Sequence, residues 1–130
     1  MLDALENLQV WKRASRFAVN VYGLTDACGQ HAYRDQVTRS GLSIASNIAE
    51  GYERGSIRDR VRFLYMAKGS CAECWTQLMI GAEAGLIDRQ QAKMLVTEAR
   101  EISRMIRALI VSFERTFQTT DRQRNGHEAD

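Results

Sequence analysis

The sequence predicts an all-α protein, an up-down-up-down four-helix bundle. Three observations predict it. Proline is absent, so no ring-imposed break interrupts a helix anywhere. Good helix formers (Leu, Ala, Arg, Glu, Gln and Met) are plentiful. Apolar residues recur at spacings of three and four in four separate segments, and no segment shows a convincing period-two alternation. Short links between four amphipathic segments make consecutive helices antiparallel neighbours. The chain has 130 residues, 45% of them apolar, which suits one domain with a modest core. The expected division is a bundle over 1–118 and a disordered polar tail over 119–130.

The first helix is expected to start near Asn7, a good cap residue. Trp11, Ala14, Phe17, Ala18, Val21 and Tyr22 then form one apolar face, with Lys12, Arg13 and Arg16 off it. Residues 25–30 (TDACGQ) read as a loop. The second helix spans about His31 to Arg54, with Tyr33, Val37, Ile44 and Ile48 as its apolar positions. Small residues from Ser40 to Ala49 allow another helix to approach closely, and Gly55 is the expected stop. The third helix follows Ser56, whose acid three residues on makes a variant capping box. Its stripe is Ile57, Val61, Leu64, Cys71, Trp75, Leu78 and Ala82, and Gly85-Leu86 fits a left-handed cap. The fourth helix follows Asp88 and carries the clearest stripe, from Ala92 through Leu95, Ala99, Ile102, Ile106 and Ile110 to Phe117.

A formal net charge of +2 excludes a bulk polycation. The kind of base is more telling. Of 18 basic residues only Lys12, Lys68 and Lys93 are lysines, and arginine forks pair with carboxylates and phosphates in two-point contacts. Ion pairing within and between subunits is one reading of that bias, phosphate binding the other. No apolar run approaches the ~20 residues of a membrane span. The N-terminal MLDALENLQVWKR shows no basic leader followed by an apolar block, so no signal peptide is expected. Three cysteines, an odd number, then suggest free thiols in a reducing cytoplasm.

Antiparallel register tests the constellations that carry chemistry. A zinc site from Cys28, His31, Cys71 and Cys74 fails because His31 should lie opposite residue 79 or 80. That is ~8–9 Å along the axis from Cys74, too far for ligands at ~2.0–2.3 Å. Both helical cysteines also fall on or beside the apolar stripe, where thiols behave as small hydrophobes. A dinuclear carboxylate site needs Glu-x-x-His from two helices, and neither His31 nor His127 follows a Glu at that spacing. Asn47 and Glu50 share a helix face. They read as a structural polar clamp, with Arg54, Arg60 or Arg62 as partners of Glu50, and with Glu73 facing Arg100. Lys93, Arg100, Arg104 and Arg107 lie within about 60° of one another on the fourth helix, and Arg58, Arg60 and Arg62 crowd the start of the third. These are either a solvated, ion-paired face or a nucleic-acid surface, and aromatics interleaved with the basic residues are scarce there.

QVTRSGLSIASNIAEG (36–51) followed by RFLYMAKGSCAE (62–73) resembles the signature of the small four-helix-bundle family encoded in intervening sequences of bacterial large-subunit ribosomal RNA genes. Gln36, Arg39, Ser43, Ile44, Asn47, Ile48, Glu50 and Gly51 match the first block. Arg62, Phe63, Leu64, Ala67, Gly69, Ser70 and Glu73 match the second. The likeness spans roughly residues 7–118. It implies a homopentamer without established enzymatic activity. Related accessory proteins of diversity-generating retroelements imply, more distantly, a reverse-transcriptase-like partner and nucleic acid. This chain departs from the pattern before the second helix. Ala27-Cys28-Gly29-Gln30 stands where the family usually has Phe-Pro and an acid, and Tyr33 replaces the usual leucine.

The expectation is therefore a non-enzymatic, self-associating bundle that needs no cofactor or metal. It acts as a scaffold or adaptor, with RNA, DNA or a nucleic-acid enzyme as outside partner and no membrane. The contacts expected for that partner are Lys93, Arg100, Arg104, Arg107, Arg58 and Arg62. Phe63 and Tyr65 flank Leu64, so at least one of them must point away from the seam. The rival expectation is a metal-dependent or thiol-redox enzyme using Cys28, His31, Cys71 and Cys74 or the carboxylates.

Overall fold

The computed structural model describes Leu5 and residues 8–128. Four helices account for almost all of it: α1 Gln9–Thr25, α2 His31–Glu53, α3 Ile57–Glu83 and α4 Arg89–Glu128. Among the described residues there is no strand. Each helix packs on the two beside it, α1 closing onto α4, so the four form a square bundle whose α1–α4 side is the thinnest.

Local chemistry sets most of the helix ends. Ser56 is extended and its hydroxyl accepts from Asp59 N at 3.1 Å, satisfying an orphan amide of the first turn of α3. Asp88 Oδ2 accepts from Gln91 N at 2.9 Å in the same way ahead of α4. After α3, Gly85 has φ +74°, Leu86 N donates to Gly81 O at 2.8 Å and Gly85 N to Ala82 O at 3.1 Å. That paired set is a Schellman cap, and the left-handed residue it needs is a glycine. The stop after α2 differs from expectation. Arg54 turns extended, its N donating to Gly51 O at 3.3 Å, and Gly55 is not left-handed. Asn7, the expected cap of α1, lies outside the described residues.

The core is one apolar cluster. Phe17 and Val21 come from α1, Val37, Ile44 and Ile48 from α2, Leu64, Cys71, Cys74 and Leu78 from α3, and Ile102 and Ile106 from α4. Two stripe positions of α1 are corrected: Val10 is buried, while Tyr22 at the other end is half exposed. Phe63 turns in and Tyr65 turns out, as their flanking of Leu64 requires.

α4 also runs to Glu128, past the point where residues 119–130 were expected to be irregular. The apolar stripe ends at Phe117, but extending an existing helix needs no new nucleus, and no proline intervenes. Residues 121–126 of this extension are all exposed.

Candidate functional site

Short polar side chains stitch α2 to α3. Ser40 Oγ donates to Gln77 Oε1 at 2.6 Å, Ser43 Oγ to Ser70 Oγ at 2.6 Å, and Tyr33 Oη to Gln77 O at 2.8 Å. Cys74 Sγ points at Val37 O, 3.8 Å away. The register agrees with the antiparallel estimate, but the residues that bridge are not Asn47, Glu50 and Glu73. Asn47 Nδ2 donates to Ser43 O of its own helix at 2.9 Å. Glu50 is half exposed and accepts from Arg54 Nη2 at 2.8 Å, one turn along. Glu73 is exposed, 3.4 Å from Gln77 Nε2, and among the described residues no ion pair joins it to Arg100. Arg100 instead lies over the Trp75 ring, 5.7 Å from its centroid. An axial register gives height along the bundle but not rotation about each helix, so it brought Glu73 and Arg100 level without bringing them together.

An ion pair between helices was not foreseen either. Arg13 of α1 holds Glu98 of α4 with two donors, Nη2 to Oε1 and Nε to Oε2, the second at 3.4 Å, while Nη1 meets Met105 Sδ at 3.3 Å. The hydrogen bond to Glu98 raises the Arg13 pKa further above its ordinary value. On the α4 stripe, Arg104 pairs with Glu101 of its own helix at 2.8 Å. Lys93 and Arg107 are exposed.

The turn between α2 and α3 gathers arginines and aromatic rings. Arg60 Cζ lies 4.4 Å from the Tyr52 centroid and 5.2 Å from that of Phe113, and those two rings meet edge to face at 6.1 Å. Arg60 Nε is buried with no hydrogen-bond partner, so the ring faces meet its charge. Arg54 and Arg62 both sit over Phe63, at 4.9 and 5.2 Å. Arg58 is exposed and edges a groove between α3 and α4 with Ile57, Val61, Glu114 and Phe117. In sequence the aromatics are scarce beside these basic residues. In space, Phe113 of α4 and Tyr52 of α2 are brought to them, which no local pattern shows.

The thiols are set apart from the arginines. Cys28 lies in the loop before α2, 3.9 Å from Gln30 O, and His31 is exposed. Cys71 and Cys74 are sealed in the core, where burial pushes their pKa values up to about 12 and about 11. Such thiols stay protonated at neutral pH and are poor nucleophiles. Among the described residues no three His, Cys, Asp or Glu side chains converge as metal ligands. None of the described helices is long and apolar enough to cross a membrane.

The comparisons agree on a family. Residues 6–108 match the family model of the 23S rRNA-intervening sequence protein. A solved crystal structure from Bacteroides thetaiotaomicron, of a protein of unknown function from the S23 ribosomal protein family, is similar. It shares 25% identity over 78% of this chain and 97% of that one, with a TM-score of 0.73. The search of curated proteins found no match. With four antiparallel helices, signature blocks on α2 and α3 and a family match over most of its length, this chain belongs to the 23S rRNA-intervening sequence protein family.

Proposed function

We propose that this chain is a non-enzymatic, self-associating scaffold, a homo-oligomer whose protomers cover one another's outer α2–α3 seam. The supporting observation is apolar. Tyr65, Met66, Met79 and Ile80 of α3 and Leu42 of α2 are each about half exposed, 47–59%. Met66, Glu73 and Ile80 share an edge of α3 with Ser70 and Gln77, the two residues bonded to α2, so Met66 and Ile80 continue the seam outward, whereas Tyr65, whose Oη donates to Glu114 Oε1 at 3.2 Å, and Met79 lie on the side of α3 that faces α4. Gly69 adds to this. It sits in the middle of α3, where a glycine costs roughly 1 kcal/mol relative to alanine, yet a Cβ there would meet nothing within 4 Å. Close approach by a second chain supplies a reason that the protomer does not. Five subunits is the number the family resemblance implies, and a reducing cytoplasm suits three free thiols.

Light scattering and sedimentation at micromolar concentration test this reading. The wild type should be a single multimer, and Met66→Glu with Ile80→Glu should give a folded monomer. A monomeric wild type overturns self-association. The arginine-bearing surface favours a second, compatible role, contact with nucleic acid or a nucleic-acid enzyme. On α4, Arg104 pairs with Glu101 and Arg100 is laid on Trp75, leaving Lys93 and Arg107 exposed, while the α2–α3 turn brings four arginines, Arg54, Arg58, Arg60 and Arg62, to one end of the bundle.

A further inference from the structure

We propose that the α2–α3 turn binds a single nucleic-acid strand, Arg54, Arg58 and Arg62 taking its phosphates and Phe117 one of its bases. This rests on the reading of the chain as a scaffold that contacts nucleic acid, and it names where and by what chemistry.

Folding explains only part of the positive charge here: Arg60 packs on Tyr52 and Phe113 and Arg54 pairs with Glu50, while among the described residues Arg58 has no such contact. Arg58, Arg60 and Arg62 occupy the first two turns of α3, the end at which the helix dipole is already positive. A cation in that first turn, as Arg58 is, is disfavoured by the dipole. Arg54 and Arg62 share the Phe63 ring, which holds their guanidinium carbons within about 10 Å of each other, roughly one Debye length at 0.1 M salt. The nearby acids are Glu50, Glu53, Asp59 and Glu114. Of these only Glu50 is paired with one of the arginines, and that is Arg54. Among the described residues, Arg58 and Arg62 have no carboxylate partner. Both are exposed.

The chemistry favours phosphate. A guanidinium laid on a ring keeps its N–H donors at the edge, pointing past the ring, and its position is set before a ligand arrives. Such forks grip phosphate oxygens in pairs. Phe63 is itself buried under the two arginines and is closed to bases. Phe117 is different. It is 47% exposed and lines the groove that Arg58 edges, so a base can lie on it while the adjoining phosphate meets Arg58. An exposed ring beside Arg58, which has no carboxylate partner among the described residues, distinguishes a nucleic-acid strand from an inorganic polyanion.

The test is fluorescence anisotropy with a labelled mixed-sequence single-stranded RNA, on the full chain, between 50 and 200 mM salt. Three phosphate contacts predict a salt slope of about −2 and a loss of roughly twentyfold in affinity over that range. Arg54→Gln, Arg58→Gln and Arg62→Gln together should abolish that dependence. Arg100→Gln, Arg104→Gln and Arg107→Gln, which remove the same charge elsewhere, should leave most of it. Phe117→Ala should weaken RNA binding about tenfold without changing the salt slope, and should leave binding of inorganic polyphosphate unaltered. Equal losses in the two triple variants, no RNA binding by the wild type at 50 mM salt, or equal loss of polyphosphate in Phe117→Ala each overturns the proposal. Sedimentation of the same samples separates the two readings. An intact multimer that ignores RNA defeats this inference alone, and a monomer that binds RNA defeats self-association alone.

Discussion

Gly81→Ala should destabilise this protein, and the same change should stabilise it once Tyr33 is leucine. The reasoning starts from helix geometry. In an α-helix the Cβ of residue i+4 leans back toward the carbonyl of residue i. Gly81 leaves the Gln77 carbonyl uncovered, and Tyr33 Oη reaches across from α2 to donate to it at 2.8 Å. A Cβ at position 81 would overlap Tyr33 Oη and Cζ and come within 3.0 Å of Cε1. The tyrosine must swing out. It then loses a hydrogen bond worth about 1 kcal/mol and roughly half a ring's burial, about another 1 kcal/mol. Alanine returns about 1 kcal/mol through its better helix propensity. The net is a destabilisation of about 1 kcal/mol. In a Tyr33→Leu background only the propensity remains, so Gly81→Ala should stabilise by about 1 kcal/mol, a coupling of roughly 2 kcal/mol. Urea unfolding of the four variants followed by circular dichroism, at one protein concentration throughout, measures it. If Gly81→Ala stabilises both backgrounds equally, the explanation of this glycine is wrong.

Three further outcomes follow from the packing. Gly51→Ala should lower the urea midpoint by the equivalent of about 1 kcal/mol, because its Cβ would stand 3.1 Å from Phe63 Cβ and 3.2 Å from Arg60 O, neither of which is a flexible tip. Arg13→Lys should cost roughly 1 kcal/mol in thermal unfolding, since an ammonium cannot hold both oxygens of Glu98, and Arg13→Lys added to Glu98→Gln should cost little more than Glu98→Gln alone. The raised pKa values of Cys71 (about 12), Cys74 (about 11) and Tyr33 (about 12), all pushed up chiefly by burial, mean that the folded state retains protons the unfolded chain releases. Their stabilisation is complete below about pH 9, the ordinary thiol value, and is lost as pH rises toward 12; urea midpoints taken from pH 8 to 11 should fall, and less steeply in Cys71→Ala.

Helix number, order and most ends were legible because they are written locally. Ser56 with Asp59, Asp88 with Gln91 and Gly85 with Leu86 are signals only a few residues long, and each one forms as the spacing predicts. Side-chain partners were less legible. The height of Glu73 near Arg100 followed from counting residues around a turn, but a ring two positions on, Trp75, offered the guanidinium an apolar platform that the count does not contain. Glu50 looked interior because its neighbours in sequence are small and apolar. Its direction on the helix is set by rotation, and that leaves it half exposed beside Arg54. The arginine–aromatic turn needed Phe113, which joins it only through the packing of α4 on α3. The exposed Tyr65 had a signal in the sequence, since Phe63 and Tyr65 flank Leu64 and cannot both face one seam.

The α2–α3 layer is graded from inside out, and the grading bears on what a second copy would meet. The inner row is apolar, Val37 and Ile44 against Cys74 and Leu78. The next row is polar but already paired, Ser40 with Gln77 and Ser43 with Ser70. Covering a paired hydroxyl costs little, because the penalty of burial falls on groups left without partners. The outer row mixes exposed Met66 and Ile80 with Asn47, Glu50 and Glu73. Asn47 is anchored to its own backbone and Glu50 to Arg54, while Glu73 has only a long contact with Gln77. In a self-associating protein the methionine and isoleucine supply the attraction. Glu73 is then the group whose burial is least compensated within the protomer. It must either face solvent at the rim or find a cation on the neighbouring copy, and that requirement, more than the apolar area, selects one docking register among the many that a ring of exposed side chains permits.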